Sequence, residues 1–483
     1  MTTPVLDTAF VEQALGPALL RSRSAAGRPE ARFRRAVIDS RRIEPAEPTD
    51  DGGRGDLFVA LPGEHHDGHA FATDAVARGA RGLLLGRAPA DDVAAAGTVV
   101  FVARDPLAAL QRLAAAWRAA LPATEVVAVT GNVGKTTTKL IAAAVLARRY
   151  RVRATELNYN NAIGVPLCLL ELEPSTERAV IEHGMYTTGE IALLCEWTRP
   201  RIGVVLNVGP VHLERAGSLE AIARAKRELV EALPPGGHAL LNSDDPAVAA
   251  MAGHSAARVW RFGTDEDADV RGADLEGLGA RGFAFTLHAA GEQRRLRVPL
   301  PGTHLFTNVL AAAAVGLADD VPFGDVCDAL EALDVPLRLS VRALPGGITL
   351  LDDTYNASPA ATLAALDLLA ELPGRRLALL GDMLELGELA GPLHAAVGRR
   401  AAEVVDALFT VGDLARGIAA AASDAGLDSA RHLASKDEAA RALLTALRPD
   451  DSLLVKGSRA LALETVVARL EAELACAGGA APR

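Results

Sequence analysis

Along this chain, short apolar runs alternate with longer stretches that carry apolar residues at helical spacing. This is the pattern of a largely parallel sheet covered by helices. In a first region, runs at residues 36–38, 57–61 and 82–85 predict strands, with helices over 70–78 and 107–120. Residues 1–35, rich in Ala, Arg and Pro, predict one short helix followed by loop. In a second region, runs at 126–129, 179–181, 202–206, 239–241 and 259–262 predict parallel strands. Between 265 and 297 the helical signal gives way to short alternating segments that predict antiparallel pairing, and helices over 307–317 and 323–333 follow. A third region alternates again, with strands expected at 348–351, 377–380, 408–411 and 453–455 between Ala-rich helices.

A chain of 483 residues exceeds one compact core, and ordinary domain sizes predict about three domains. Pro122 and Pro336 mark the cuts, giving 1–121 as a small α/β domain, 122–335 as a central domain with a mostly parallel sheet, and 336–483 as a Rossmann-like α/β domain. Aromatic residues make up only 4%, so Ala, Leu and Val must fill the cores. The formal charge of -11 argues against a general nucleic-acid binder, which normally carries a basic face. Cys168, Cys195, Cys327 and Cys476 lie far apart without metal-ligand spacing and read as free, buried thiols of a reducing compartment. No basic-then-apolar leader is present, and no run approaches the ~20 apolar residues that span a bilayer. The expectation is a cytoplasmic protein without membrane insertion.

The segment Val126-Val-Ala-Val-Thr-Gly-Asn-Val-Gly-Lys-Thr-Thr-Thr-Lys139 reads as strand, glycine turn and helix. Gly131 and Gly134 allow the backbone to wrap an anion, with Asn132 and Val133 between them. Lys135 can reach the β- and γ-phosphates of a nucleotide, the Thr136 hydroxyl can ligate Mg²⁺, and Thr137 continues the helix start. The loop is shorter than the commonest phosphate-binding pattern. On its own it indicates a nucleoside triphosphate without separating kinase, ATPase, switch protein or ligase.

Further segments separate these. They are Asp39-Ser-Arg-Arg42, Gly55-Asp-Leu-Phe-Val-Ala-Leu-Pro-Gly-Glu64, Asp67-Gly-His69, Asn158-Tyr-Asn-Asn-Ala-Ile-Gly-Val-Pro166 and Asn207-Val-Gly-Pro-Val-His-Leu-Glu214. Downstream come Ala225-Lys-Arg-Glu228, Pro301-Gly-Thr-His304, Asp352-Asp-Thr-Tyr-Asn-Ala-Ser-Pro359, Gly381-Asp-Met-Leu-Glu-Leu-Gly387 and Lys456-Gly-Ser-Arg459. Read locally, the asparagines are turn residues, Lys226 is an exposed helix lysine, and His65, His66 and His69 are solvated loop histidines. Glu182 stands at the carboxyl end of a strand facing the phosphate loop, where a cation would need it. Taken together and in order, these segments resemble the Mur ligases of peptidoglycan precursor synthesis over residues 38–459.

The resemblance implies an ATP- and Mg²⁺-dependent amide ligase that works through an acyl phosphate. The Gly381–Gly387 run is similar to that of the dipeptide-adding member, and the Asp-Asn-Pro-Arg element of the diamino-acid-adding one is absent. The implied substrates are UDP-N-acetylmuramoyl-tripeptide, held by the first domain with Ser40 and Arg41, and D-alanyl-D-alanine, held by the third. Asn160 and Asn161 are expected near the incoming peptide. Glu182, His212, Thr136 and a carbamylated Lys226 are expected at Mg²⁺. Asn308 is expected at adenine, and Arg338 and Asp353 at the rest of the nucleotide. Lys135, Lys226 and His212 are the expected catalytic groups, and the family implies a monomer. His183 stands where the family pattern has an aliphatic residue, and the sequence gives it no role.

Overall fold

The computed structural model describes residues 3–23, 31–45, 54–63, 66–89, 98–155, 159–209 and 217–478. It has three α/β domains, each around its own sheet.

The first sheet is formed by β1 (Leu19–Arg23), β2 (Arg32–Val37), β3 (Arg54–Val59), β4 (Gly82–Leu85) and β5 (Val99–Ala103), in the order β1-β5-β4-β3-β2. Strands β2 to β5 run parallel, and β1 closes one edge antiparallel to β5. The loop expected after the first helix therefore contains two strands. Residues 19–23 are too polar to announce themselves, and they become a strand because β5 offers them an edge. Helices α1 (Thr8–Leu15), α2 (Ala72–Ala77) and α3 (Pro106–Ala120) cover this sheet. Asp105 starts α3 by accepting from the amides of Leu107 and Ala108, with Pro106 in the first turn where its missing N–H costs nothing.

The central sheet has nine strands: β6 (Glu125–Thr130), β7 (Val152–Ala154), β8 (Arg178–Glu182), β9 (Ile202–Val205), β10 (His238–Asn242), β11 (Arg258–Gly263), β12 (Val270–Gly277), β13 (Phe283–Ala289) and β14 (Glu292–Val298). Their order is β14-β13-β12-β11-β10-β9-β6-β8-β7. Strands β6, β8, β9 and β10 are apolar and buried almost throughout, as a parallel sheet covered on both faces requires. The antiparallel segment expected at 265–297 is β12 to β14, and it extends the same sheet. The helices are α4 (Lys135–Leu146), α5 (Gly164–Leu169), α6 (Glu190–Thr198), α7 (Leu219–Glu231), α8 (Pro246–Ala249), α9 (Phe306–Ala318) and α10 (Phe323–Glu331). Helix α9 is buried on nearly every side, and Gly272 of β12 leaves room for its Phe306 ring.

The third sheet orders β15 (Ser340–Leu344), β16 (Ile348–Asp353), β17 (Arg376–Gly381), β18 (Ala407–Val411), β19 (Ala430–Leu433) and β20 (Ser452–Lys456) as β15-β16-β20-β17-β18-β19. All neighbours are parallel except β15 and β16. Helices α11 (Pro359–Ala370), α12 (Ala390–Val404), α13 (Arg416–Asp424), α14 (Lys436–Ala446) and α15 (Glu464–Gly478) cover its two faces.

One apolar cluster runs without a break from the first domain into the central one. It joins Phe101, Leu110 and Trp117 to Val165, Leu169 and Leu194. The Trp117 indole also donates to the Leu172 carbonyl, and the buried Arg118 donates to that of Thr198. The third domain has separate cores. Three of the four cysteines are buried as expected, but Cys476 is exposed on the last helix. Among the described residues no helix is long and apolar enough to cross a membrane.

Candidate active site

Strand β6 ends at the buried Thr130, and the chain turns through residues 131–134 into α4. Gly134 has φ +86, and a Cβ there would lie 2.2 Å from the Asn308 Nδ2, so the turn requires glycine. The amides of Lys135, Thr136 and Thr137 form the first turn of α4, where the helix itself offers no acceptor and its dipole is positive. Lys135 lies along the loop, its ammonium donating to the carbonyls of Gly131 (2.8 Å) and Asn132 (3.2 Å). Burial lowers its pKa; the charge of Glu182 opposes that shift and the charge of Arg338 adds to it.

A polar node sits beside the loop. The Thr136 hydroxyl donates to Glu182 Oε2 at 2.8 Å, and the Asn160 amide donates to Glu182 Oε1 at 2.8 Å. Arg338, from the third domain, donates to the Thr136 hydroxyl at 2.9 Å and stacks on the Tyr355 ring at 4.4 Å. Glu182 is 1% exposed, and both of its hydrogen-bond donors are neutral. A buried carboxylate satisfied only by neutral groups fits a hard cation, which would take Glu182 and Thr136 as oxygen ligands. Among the described residues no three His, Cys, Asp or Glu side chains cluster as a metal site.

Lys226 overturns its local reading. It is 2% exposed, on the buried stripe of α7 with Ile222, Ala225, Leu229 and Val230. Burial lowers its pKa well below the usual lysine value, and the charge of Lys135 adds to the shift. His183 is fully enclosed, its Nε2 3.3 Å from the Thr198 hydroxyl and its Nδ1 3.8 Å from the Cys195 sulfur. It is a core histidine, and its carbonyl accepts from Thr130 at the base of the loop. His212 lies outside the described residues.

The remaining expected residues are less closely gathered. Asn308 donates to the Gly134 carbonyl (3.2 Å) and the Thr138 hydroxyl (2.9 Å), which places it under the phosphate loop. Asn161 accepts from the amides of Ile163 and Gly164 and starts α5. Ser40 is buried, while Arg41 is exposed and paired with Asp39. Arg42 reaches across to the Tyr159 hydroxyl, next to Asn160. Asp353 is ion-paired with the buried Lys456, which also donates to the Asn356 carbonyl at 2.9 Å. His69 is no solvated histidine. Its Nδ1 lies 2.6 Å from Asp67, its Nε2 accepts from the Gly86 amide, and it holds the Asp67 pKa down to about 2. His66 packs edge-on against Phe71, and His65 lies outside the described residues.

Two polar residues here had no role in the sequence reading. Lys456 was visible only as part of a motif. Asn207 follows β9, the neighbour of β6, so its position at the carboxyl end of the sheet was the available signal.

Three family models match successive parts of the chain. They are the Mur ligase family catalytic domain over residues 50–118, the Mur ligase middle domain over 129–316, and the Mur ligase glutamate ligase domain over 337–459. The UDP-N-acetylmuramoyl-tripeptide--D-alanyl-D-alanine ligase of Mycobacterium tuberculosis strain H37Rv is 39% identical over 88% of this chain and 91% of its own length. That of Escherichia coli K12 is 37% identical over 91% and 94%. A crystal structure of MurF from Acinetobacter baumannii superposes with TM-score 0.84 at 30% identity, covering 98% of this chain and 100% of the other. MurF ligase from Thermotoga maritima in complex with ADP superposes with TM-score 0.76 at 28% identity, over 92% and 99%. With its fold, its motif order and its relatives in agreement along nearly the whole length, the chain belongs to the Mur ligase family.

Proposed function

We propose that this chain is an ATP-dependent UDP-N-acetylmuramoyl-tripeptide--D-alanyl-D-alanine ligase acting in peptidoglycan precursor synthesis. The observation that carries the reading is the node in which Arg338 of the third domain meets Thr136 and Glu182 at the phosphate loop. This brings the phosphate loop into contact with the first residues of the third domain. The A. baumannii and T. maritima enzymes share the overall three-domain fold. Residues 1–121 would hold the UDP-sugar, 122–335 the nucleotide, and 336–483 the amine acceptor. A monomer and a cytoplasmic site belong to this reading, the latter because the precursors of the reaction are soluble.

In the first step a carboxylate oxygen of the tripeptide bonds to the γ-phosphorus of ATP while the bond to the β-phosphate oxygen breaks, leaving ADP and an acyl phosphate. Lys135 and the amides of Lys135, Thr136 and Thr137 offset the charge that builds on the phosphates, and Asn160 and Thr136 hold Glu182 in place. Mg²⁺ on Glu182 and Thr136 would supply the positive charge that lets two anions meet. In the second step the D-alanyl-D-alanine amine attacks the acyl carbon, loses a proton, and phosphate leaves. Arg338 and Tyr355 close the third domain over the site and exclude water that would hydrolyse the acyl phosphate. Orientation of bound reactants is worth roughly 7–11 kcal/mol in such reactions.

Burial that lowers the Lys226 pKa favours the free amine, the form that adds CO₂. Lys226 as a carbamate would be an oxygen donor suited to Mg²⁺. Lys226→Ala should be nearly inactive, and a short added carboxylic acid should restore part of the turnover; near-normal activity of the variant would remove this role. The function as a whole is tested by phosphate release from ATP with each substrate omitted in turn. Release that requires both UDP-N-acetylmuramoyl-tripeptide and D-alanyl-D-alanine is expected. Steady turnover with neither would instead mark a switch-type ATPase.

A further inference from the structure

We propose that Asn207 is a positioning residue that divides the phosphate loop into a structural half and a ligand-facing half. The inference rests on the nucleotide reading of the loop. Asn207 follows β9, whose residue Val205 pairs with Thr130 at the end of β6, so its side chain stands level with the loop. Its Oδ1 accepts from the amides of Asn132 (2.8 Å) and Val133 (3.0 Å), and its Nδ2 donates to the Val133 carbonyl at 3.1 Å. One side chain thus binds both amides and one carbonyl of the two residues between the glycines. The Asn132 side chain returns the contact, donating to the Gly209 carbonyl (2.8 Å) and accepting from the Gly209 amide (3.0 Å).

The consequence is a division of labour among donors. The amides of Asn132 and Val133 are already satisfied and face Asn207, so they are not available to a phosphate. Those of Lys135, Thr136 and Thr137 have no partner within α4 and remain for the anion. The division requires an amide at 207, because only a carbonyl oxygen beside an NH₂ meets two donors and one acceptor together. Alanine would free the Val133 amide, leave the Asn132 amide only its longer bond to the Asn207 backbone carbonyl (3.3 Å), and let the turn choose other conformations. Aspartate would keep the two accepted bonds, lose the donated one, and set a negative charge beside the phosphates.

The test is calorimetric titration of the wild type, Asn207→Ala and Asn207→Asp with ADP, and separately with UDP-N-acetylmuramoyl-tripeptide. The steady-state KM for ATP and kcat are measured alongside. Both variants should bind ADP about tenfold or more weakly, with Asn207→Asp the weaker because of its added negative charge. KM for ATP should rise more than kcat falls, and affinity for the tripeptide should stay within about twofold of wild type. Folded variants with wild-type ADP affinity would overturn the proposal. So would a parallel loss of both ligands, or loss of the fold in both variants, since each would make Asn207 merely structural. A wild-type chain that does not bind ADP would refute the nucleotide reading itself, a separate result.

Discussion

His183 is sealed between Thr198 and Cys195, and burial lowers its pKa from 6.5 to about 3. Between those values the unfolded chain binds a proton that the folded chain does not, so stability falls as pH drops through that window. The slope is at most about 1.4 kcal/mol per pH unit. His183→Gln keeps a neutral polar side chain and removes the titration. Urea unfolding at pH 6.5 and 4.5 should therefore show a smaller loss for the variant than for wild type, and equal losses would assign the acid sensitivity to other groups. Lys226 teaches the complementary lesson about reading single residues. Its charge suggested solvent, yet it lies four positions after Ile222 and three and four before Leu229 and Val230, on the stripe that α7 buries. The spacing contained the signal, and the residue type masked it. Helical spacing offers no such signal for Asn207: its motif at the carboxyl end of β9 is visible, but its role depends on the loop that β6 brings alongside.

At the scale of elements, the strand–glycine turn–helix unit was legible because each part has a backbone cause. Buried β-branched residues make β6, a positive φ requires Gly134, and unpaired amides start α4. Gly134→Ala combines left-handed strain of about 1–2 kcal/mol with a collision against the hydrogen-bonded Asn308 amide. Weakening of ADP binding by about tenfold or more is expected, with the third domain's unfolding unchanged; unaltered ADP binding would show that the turn tolerates a side chain. The strands that periodicity missed have particular reasons. β1, β7, β15 and β19 are edge strands of mixed polarity, formed because a neighbour supplies hydrogen bonds. β5 is different: residues 99–103 are apolar throughout and fully buried, a run that the rule for central strands should have caught.

Across the whole molecule, the shared core makes the first two domains one mechanical body, while the third has its own cores. Its bridges to that body include Arg338 on Thr136 and the Gly279 amide on Glu371 at the end of α11, with Leu337 packed against the central core. A chain ending at Val335 should therefore stay folded, bind UDP-N-acetylmuramoyl-tripeptide within a few-fold of the full chain, and form no amide. Amide formation by that chain would remove the third domain from the reaction. Domain number and alternation were legible because they follow from hydrophobic periodicity. The shared core was not, because it depends on how α3 packs against α5 and α6, which no local pattern specifies. The central claim is that a carboxylate is activated by phosphoryl transfer before the amine attacks. It is tested most directly with UDP-N-acetylmuramoyl-tripeptide carrying ¹⁸O in both oxygens of its terminal carboxylate, by mass analysis of the phosphate released with ATP and D-alanyl-D-alanine. One ¹⁸O atom should appear in phosphate for each amide formed, because the oxygen that attacks phosphorus leaves with it. Unlabelled phosphate accompanying amide formation would contradict the acyl phosphate and the account built on it.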